Sequence, residues 1–245
     1  MGSAKCASAA PGRRARFRYS LRTFLIVATL ISAWLAWAAH RARTQRSALE
    51  AIRSADGAVS FDCHESGPRT WSYPGRPPRG PQWLRNLLGP EYFDRVTFVS
   101  LPGTAVDEKW LKAVNDLPSV KWLRLWGHSG TDASLARLRK STALVGLQLS
   151  SSKISDAGLE HLAKFPNLRW LTLNNTRVTD SGMTHLSQLG SLEELILTNT
   201  KVSDASIPAI AGLRKLQLID LRGTQVTKRG AQKIRGQAPN LKVLR

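Results

Sequence analysis

From Thr97 onward the apolar residues recur at a fixed interval. TFVSLPGTAVDEKWLKAVNDLPSV (97–120) is followed by KWLRLWGHSGTDASLARLRKSTAL (121–144), VGLQLSSSKISDAGLEHLAKFPNL (145–168), RWLTLNNTRVTDSGMTHLSQLGSL (169–192) and EELILTNTKVSDASIPAIAGLRKL (193–216). These five periods are 24 residues long, and a sixth, QLIDLRGTQVTKRGAQKIRGQAPNL (217–241), has 25. Each opens with alternating apolar positions such as Leu171 and Leu173, the period-2 signature of a short strand. Four of the six close with apolar residues at i, i+3 and i+6, as at Met183, Leu186 and Leu189, which predicts a one-sided helix with Thr179-Asp180 as its N-cap. One strand and one helix cannot bury their apolar sides alone. The pattern therefore predicts a stacked α/β solenoid, with a curved parallel sheet on the concave face and short helices on the convex face.

A different pattern precedes the repeats. Phe24 to Ala39 (FLIVATLISAWLAWAA) carries no charge, and with Thr23 it predicts a transmembrane signal-anchor helix over 23–39. At ~1.5 Å per residue this run spans about 25 Å; Arg22 can snorkel outward and Trp34 and Trp37 suit the interface. Residues 40–66 predict a juxtamembrane helix, with Ala48, Ile52 and Ala55 on one side and Gly57 as its stop, and then a strand near Ala58–Asp62. Residues 67–82 are a Pro/Gly-rich loop. Residues 83–96, with the apolar segment Trp83–Phe93, are expected to form the N-terminal cap over the open end of the repeats at 97–245.

Charge changes the picture at both ends. The chain has 36 Lys+Arg against 17 Asp+Glu, a net of +19. Residues 1–50 hold nine basic residues and one acidic, and residues 201–245 hold ten and two, so the ends carry 16 of the 19 charges. Lys5, Arg13, Arg14, Arg16, Arg18 and Arg22 precede the apolar run with no acid among them. The positive-inside rule then makes 1–22 a basic cytoplasmic tail and puts the repeat domain outside the cytoplasm. An exported domain does not meet nucleic acid, so none is expected as a partner. Ala36-Trp37-Ala38 has the small-x-small form of a cleavable signal peptide, but the length of the run and the following Arg41 and Arg43 favour an uncleaved anchor. The sixth repeat is followed by Lys242-Val243-Leu244-Arg245, which suggests an uncapped end; either Lys228, Arg229, Lys233 and Arg235 keep that end soluble or another chain associates there.

The repeats resemble the leucine-rich repeat family over about 97–245, and with the anchor they resemble bacterial one-pass leucine-rich repeat proteins. ISDAGLEHLAKFPNL and VTDSGMTHLSQLGSL are similar to the cysteine-containing subclass. Two departures stand out: the period is shorter, and the ladder position usually held by Asn or Cys is Thr104, His128, Ser152, Thr176, Thr200 and Thr224. A hydroxyl there can still donate to a neighbouring backbone carbonyl, and His128 breaks the series. The second repeat is also irregular, with Gly130 in place of Val178's equivalent and Ser141 in place of Leu189's, so a local distortion is expected. The resemblance implies a non-catalytic protein that recognises a macromolecule. The alternative it leaves is a soluble or cytoplasm-facing substrate adaptor similar to ubiquitin-ligase adaptors, although no F-box-like helical segment precedes the repeats.

Candidate chemistry is sparse. Cys6 and Cys63 are too few for a disulfide scaffold, and HExxH, GxSxG, Walker and GxGxxG motifs are absent. A metal-dependent enzyme would need Asp62-Cys63-His64-Glu65, whose neighbours point to alternate sides of an extended chain, or His161 and His185 with Glu160. No metal or cofactor is expected. The concave face is more informative, because strand positions flanking the core leucines point outward there. Its candidate ligand-binding residues are Phe98 in the first repeat, Trp122, Arg124 and Trp126 in the second, Gln148 in the third, and Trp170, Thr172 and Asn174 in the fourth. Trp122 and Trp170 would stand about 10 Å apart, two strand spacings, with Gly146 between them. That predicts an open aromatic slot for a peptide, a protein loop or a sugar ring.

Overall fold

Leu123, Leu147, Leu171, Leu195 and Ile219 form one buried row because successive strands pair 24 residues apart. The computed structural model describes residues 21–61, 77–89, 92–103, 108–127, 130–139 and 141–245. The chain begins with α1 (Leu21–Ser54), β1 (Ala58–Phe61), α2 (Gln82–Leu88), β2 (Val96–Leu101) and α3 (Glu108–Asn115). It continues through β3 (Trp122–Leu125), α4 (Asp132–Arg137), β4 (Gly146–Gln148), α5 (Asp156–Leu159), β5 (Trp170–Thr172) and α6 (Asp180–Leu186). It ends with β6 (Glu194–Ile196), α7 (Ile207–Gly212), β7 (Leu218–Asp220), α8 (Lys228–Gln237) and β8 (Lys242–Leu244), with single 3-10 turns at Glu160–Lys164 and Asp204–Ser206. The eight strands make one sheet in chain order, parallel from β2 to β8.

Between sheet and helices runs one continuous core. The helices contribute Leu159, Met183, Leu186, Ile207, Ile210, Ala231 and Ile234 to it, all buried against the strand leucines. Fully burying each such leucine, isoleucine or methionine is worth roughly 1.5–3 kcal/mol relative to exposure, and only the stack makes that burial available.

Two hydrogen-bonded series link and close the repeats. In the first, an aspartate at the start of one helix receives two bonds from the next repeat. Asp156 accepts from Thr179 N at 2.8 Å and from Thr179 Oγ1 at 2.6 Å. Asp132 does the same for Ser155, Asp180 for Ser203 and Asp204 for Thr227. The Ser or Thr is also the N-cap, as expected, with Thr179 Oγ1 accepting from Ser181 N. In the second series, Ser152, Thr176, Thr200 and Thr224 donate to the carbonyls of Leu149, Leu173, Leu197 and Leu221 at 2.6–2.8 Å. The receiving carbonyl lies three residues back in the same repeat, so each hydroxyl closes its own turn; Thr104 and His128 lie outside the described residues.

The irregular second repeat keeps the 24-residue strand register, with Leu123 opposite Leu147, and its irregularity is seen in the packing around Ser141. A cavity of about 210 Å³ opens beside Ser141, lined by Val114, Leu117, Leu138, Leu144 and Phe165 among others. Lys164 Nζ compensates at the end of α4 by donating to the carbonyls of Leu135, Ala136 and Leu138. Burial holds its amine below the usual lysine range.

The amino-terminal end of the stack is covered by residues 41–61 rather than by 83–96. Ala48, Leu49 and Ile52 of α1 are buried in the core, and β1 pairs antiparallel with β2, with Ser60 opposite Phe98. β1 thus satisfies the edge of β2, which an apolar helix alone would leave open. By contrast, α2 buries none of its residues, and Trp83 and Leu87 are exposed. Residues 83–96 supply Val96 to the core at the start of β2 and a polar tie before it: buried Asp94 accepts a 2.7 Å ion pair from Arg85, and its carbonyl accepts from Gln45 Nε2 at 2.9 Å.

Residues 21–40 form a separate unit in themselves. The sequence separates an apolar span from a juxtamembrane helix, but α1 runs unbroken through both. None of its residues from 21 to 40 is buried, and the helix is long and apolar enough to cross a membrane, as a membrane anchor or a signal sequence would. The tail 1–20 and most of the Pro/Gly-rich loop, 67–76, lie outside the described residues.

Candidate functional site

Outward-facing strand residues form straight rows across the concave face. One row is Phe98, Trp122, Gly146, Trp170, Glu194, Leu218 and Lys242. The next is Ser100, Arg124, Gln148, Thr172, Ile196 and Asp220. A groove of about 400 Å³ runs along them, lined from these rows by Phe98, Trp122, Trp170 and Glu194 and by Arg124, Gln148, Thr172, Ile196 and Asp220.

The expected open slot between the tryptophans is closed. Trp122 and Trp170 stack with ring centroids 4.9 Å apart and planes at 21°, and both are buried. Gly146 permits this, because a Cβ there would sit 2.0 Å from Trp122 Cε3. Two large apolar rings left standing in water collapse together when nothing lies between them. The guanidinium of Arg169 lies 4.6 Å from the Trp170 ring centroid, and Glu193 holds Arg169 through two bonds of 2.7 and 2.6 Å. The pair therefore forms a firm apolar floor rather than two walls.

The structure brings Phe98, Trp122, Arg124, Gln148, Trp170, Thr172 and Asn174 together in the groove lining. Trp126 stays outside that lining and is 46% exposed. A polar chain crosses the groove: Arg124 Nε donates to Gln148 Oε1 at 2.8 Å, Gln148 Nε2 to Ser150 Oγ at 3.0 Å, and Ser150 Oγ to Asn174 Oδ1 at 2.6 Å. The Arg124 guanidinium also rests 5.8 Å from the Phe98 ring centroid.

The groove extends further than the aromatic residues indicate, to Glu194, Ile196, Thr198, Asp220 and Arg222. The signal in the sequence was an acid at an outward position whose neighbours in the row, Trp170 and Leu218, are apolar. Asp220 and Arg222 neutralise each other at 2.6 Å. Burial raises the Asp220 carboxyl, but the hydrogen bonds and charge of Arg222, with a bond from Thr198, together hold it below the usual carboxylate range. Glu194 has no such partner among the described residues. Its Oε2 is buried without a hydrogen bond, and burial pushes its carboxyl up to about 7.

His161 lies in the 3-10 turn after α5 and His185 in α6. Among the described residues no group of three or more His, Cys, Asp or Glu is arranged to hold a metal ion, and Cys63 and His64 lie outside those residues.

A family model described as leucine rich repeat matches residues 166–226. That stretch contains the strand, turn and helix of two of the most regular units. The repeat region is a leucine-rich repeat solenoid. Solved structures similar to this solenoid include a leucine-rich repeat protein of Leptospira interrogans, at 22% identity and a TM-score of 0.39 over 54% of this chain and 33% of that one. An internalin of Listeria monocytogenes is similar at 19% identity and a TM-score of 0.39, over 54% of this chain and 43% of that one. The solenoid and its flanks thus cover less than half the length of either protein. No curated protein sequence matches the chain.

Proposed function

We infer that this is a membrane-anchored, non-catalytic recognition protein whose concave groove binds a protein or peptide segment. Leucine-rich repeat domains generally serve as binding scaffolds for protein partners, and the observation that carries the reading is the composition of the groove. Its outward positions hold an aromatic floor, a hydrogen-bonded polar chain and charged side chains at both ends. Exposed Trp126 and half-buried Arg124 beside this floor are residue types that concentrate binding energy.

The exposed apolar stretch 21–40 supports an anchor, and the basic residues before it support a cytoplasmic amino terminus with the solenoid outside. The similarity to bacterial one-pass proteins and to the cysteine-containing subclass belongs to this proposal as well.

A membrane-impermeant thiol reagent applied to intact cells tests the topology. Labelling of Cys63 but not Cys6 on a full-length, membrane-bound chain is expected. Labelling of neither thiol until the membrane is opened, with Cys63 reactive in the purified protein, would reverse the topology and favour the cytoplasm-facing adaptor. Crosslinking of envelope proteins to the wild type, and its loss in Trp126→Ala and Arg124→Gln, tests the groove. Equal crosslinking in both variants would move the binding surface elsewhere.

A further inference from the structure

The charged groups of the groove divide into spent and unspent ones. Asp220 and Arg222 hold each other, as do Glu193 and Arg169. Arg124 and Glu194 remain. Arg124 uses its Nε on Gln148, and its two terminal nitrogens have no hydrogen-bond partner among the described residues. Glu194 stands between Trp170 and Leu218 in its row, with one carboxylate oxygen buried and unbonded. An uncompensated carboxylate beside an indole disfavours folding, and nothing in the sheet requires it there. Gln or Leu would keep the same register.

The two unspent charges have opposite sign and fixed spacing. Arg124 is on β3 and Glu194 on β6, three strand spacings of ~4.8 Å across the sheet and one row apart, two residues of ~3.3 Å along the strand, so their backbone positions are about 16 Å apart. An extended peptide advances about 3.3 Å per residue, so four residues advance about 13 Å, and a long lysine or arginine side chain reaches across the remaining few ångströms. Side chains at i and i+4 of an extended chain also point to the same side. Along the rows that hold the two charges lie the stacked indoles, which suit the apolar body of a peptide, and Gln148, bonded onward to Ser150 and Asn174 in the row beyond Arg124, which suits its backbone.

We propose, on the footing of the concave-groove reading, that this protein selects a dipolar extended segment of a partner protein, with a carboxylate side chain seated on Arg124 and a basic side chain four residues away seated on Glu194. The incoming ammonium or guanidinium supplies the counter-charge that Glu194 lacks. The incoming carboxylate takes the free end of the Arg124 guanidinium in a charge-assisted pair. The apolar floor discourages water from competing for either contact.

Full-length protein in lipid nanodiscs is panned against a displayed random nonapeptide library, alongside Glu194→Gln, Arg124→Gln and Trp126→Ala. Both charge variants keep the shape of the side chain or shorten it on the open face, and matching circular dichroism and melting curves confirm that they fold. The wild type is expected to enrich peptides with an acid and a base four residues apart. Glu194→Gln is expected to lose the preference for the base alone, and Arg124→Gln the preference for the acid alone. A synthetic enriched peptide should bind each variant about tenfold more weakly or worse than the wild type. Enriched peptides that depend on the groove but show no spaced charge pair, or whose charge preference is the same in Glu194→Gln, overturn the dipolar proposal and leave the groove reading standing. Absence of any enrichment over empty nanodiscs, or enrichment indifferent to all three substitutions, overturns the groove reading and this proposal with it.

Discussion

Trp122 and Trp170, on strands two apart, stack at 4.9 Å across the backbone of Gly146. The stack exists because the intervening residue has no side chain. Gly146→Val should split it, since even a Cβ would overlap the Trp122 ring. The expected cost is about 1–3 kcal/mol, typical of overpacking, with tryptophan emission shifted to the red. Urea denaturation followed by fluorescence checks both. An unchanged midpoint and spectrum would mean the rings are not stacked in solution. For the same reason Trp122→Ala is a poor probe of binding, because it removes part of the floor along with any contact.

Asp156 joins its repeat to the next through both Thr179 bonds, and Gly182 packs so close that a Cβ would lie 2.3 Å from Asp156 Oδ1. Asp156→Ala strands a backbone N–H and a hydroxyl together. It should cost about 2–3 kcal/mol by chemical denaturation, and Asp156→Asn less, since one acceptor oxygen survives. Equal losses in the two variants would assign the effect to packing rather than to the paired bonds.

Asp204 belongs to the same series, and the hydroxyl of Thr227, followed by its backbone N–H, holds the Asp204 carboxyl below the usual range. A depressed folded pKa stabilises above the unfolded value of about 3.9 and loses that contribution as pH falls through the folded value. Carbon-detected NMR titration should show Asp204 titrating low in the wild type and moving upward in Thr227→Val. No movement in the variant would assign the shift to surrounding cations.

Glu194 works in the opposite direction. Burial raises its folded pKa to about 7, above the ordinary glutamate value of ~4.3. Between those values the folded state holds a proton that the unfolded state has released, so stability falls as pH rises from about 4 through 7 and levels off beyond. Glu194→Gln should remove this slope and melt higher than the wild type at pH 8. Thermal melts at pH 5 and pH 8 decide it, and a variant that melts lower at pH 8 would mean the carboxylate is compensated in solution.

The second repeat lacks the apolar residue that its neighbours place at the position of Ser141, and a cavity of about 210 Å³ lies beside it. Ser141→Leu should fill part of that space and raise stability by about 0.5–2 kcal/mol. A lower melting temperature would show that the space is too narrow for a branched side chain.

The regular repeats were legible because a strand with period 2 and a helix with period near 3.6 leave separate marks in one 24-residue unit. The register followed too, since equal periods put equal positions opposite each other. The amino-terminal covering was misplaced. WLRNLL looks more apolar than ALEAI, but Arg85 turns α2 toward buried Asp94, while Ala48, Leu49 and Ile52 share one face of α1. Composition is visible in a sequence, and the direction in which a short helix is tied down is not. In the groove, strand register followed from the period and side-chain behaviour did not. Two indoles two strands apart were expected to stand apart, yet χ rotations bring them into contact wherever the residue between them is glycine. Attention to aromatics also passed over Glu194, whose significance depends on which neighbours fail to bond it.

Thr179 and Asp180 are consecutive, yet they face opposite joints: Thr179 donates back to Asp156, and Asp180 accepts from Ser203 ahead. Ser203 and Asp204 repeat the arrangement one unit further on. Each copy therefore carries both the plug and the socket, and the joint is indifferent to which copy comes next. A duplication or deletion of whole 24-residue units inside this series would leave both new junctions bonded, whereas a change by any other length would strand a carboxylate. Copy number is thus the dimension along which such a gene can vary without first having to repair its fold.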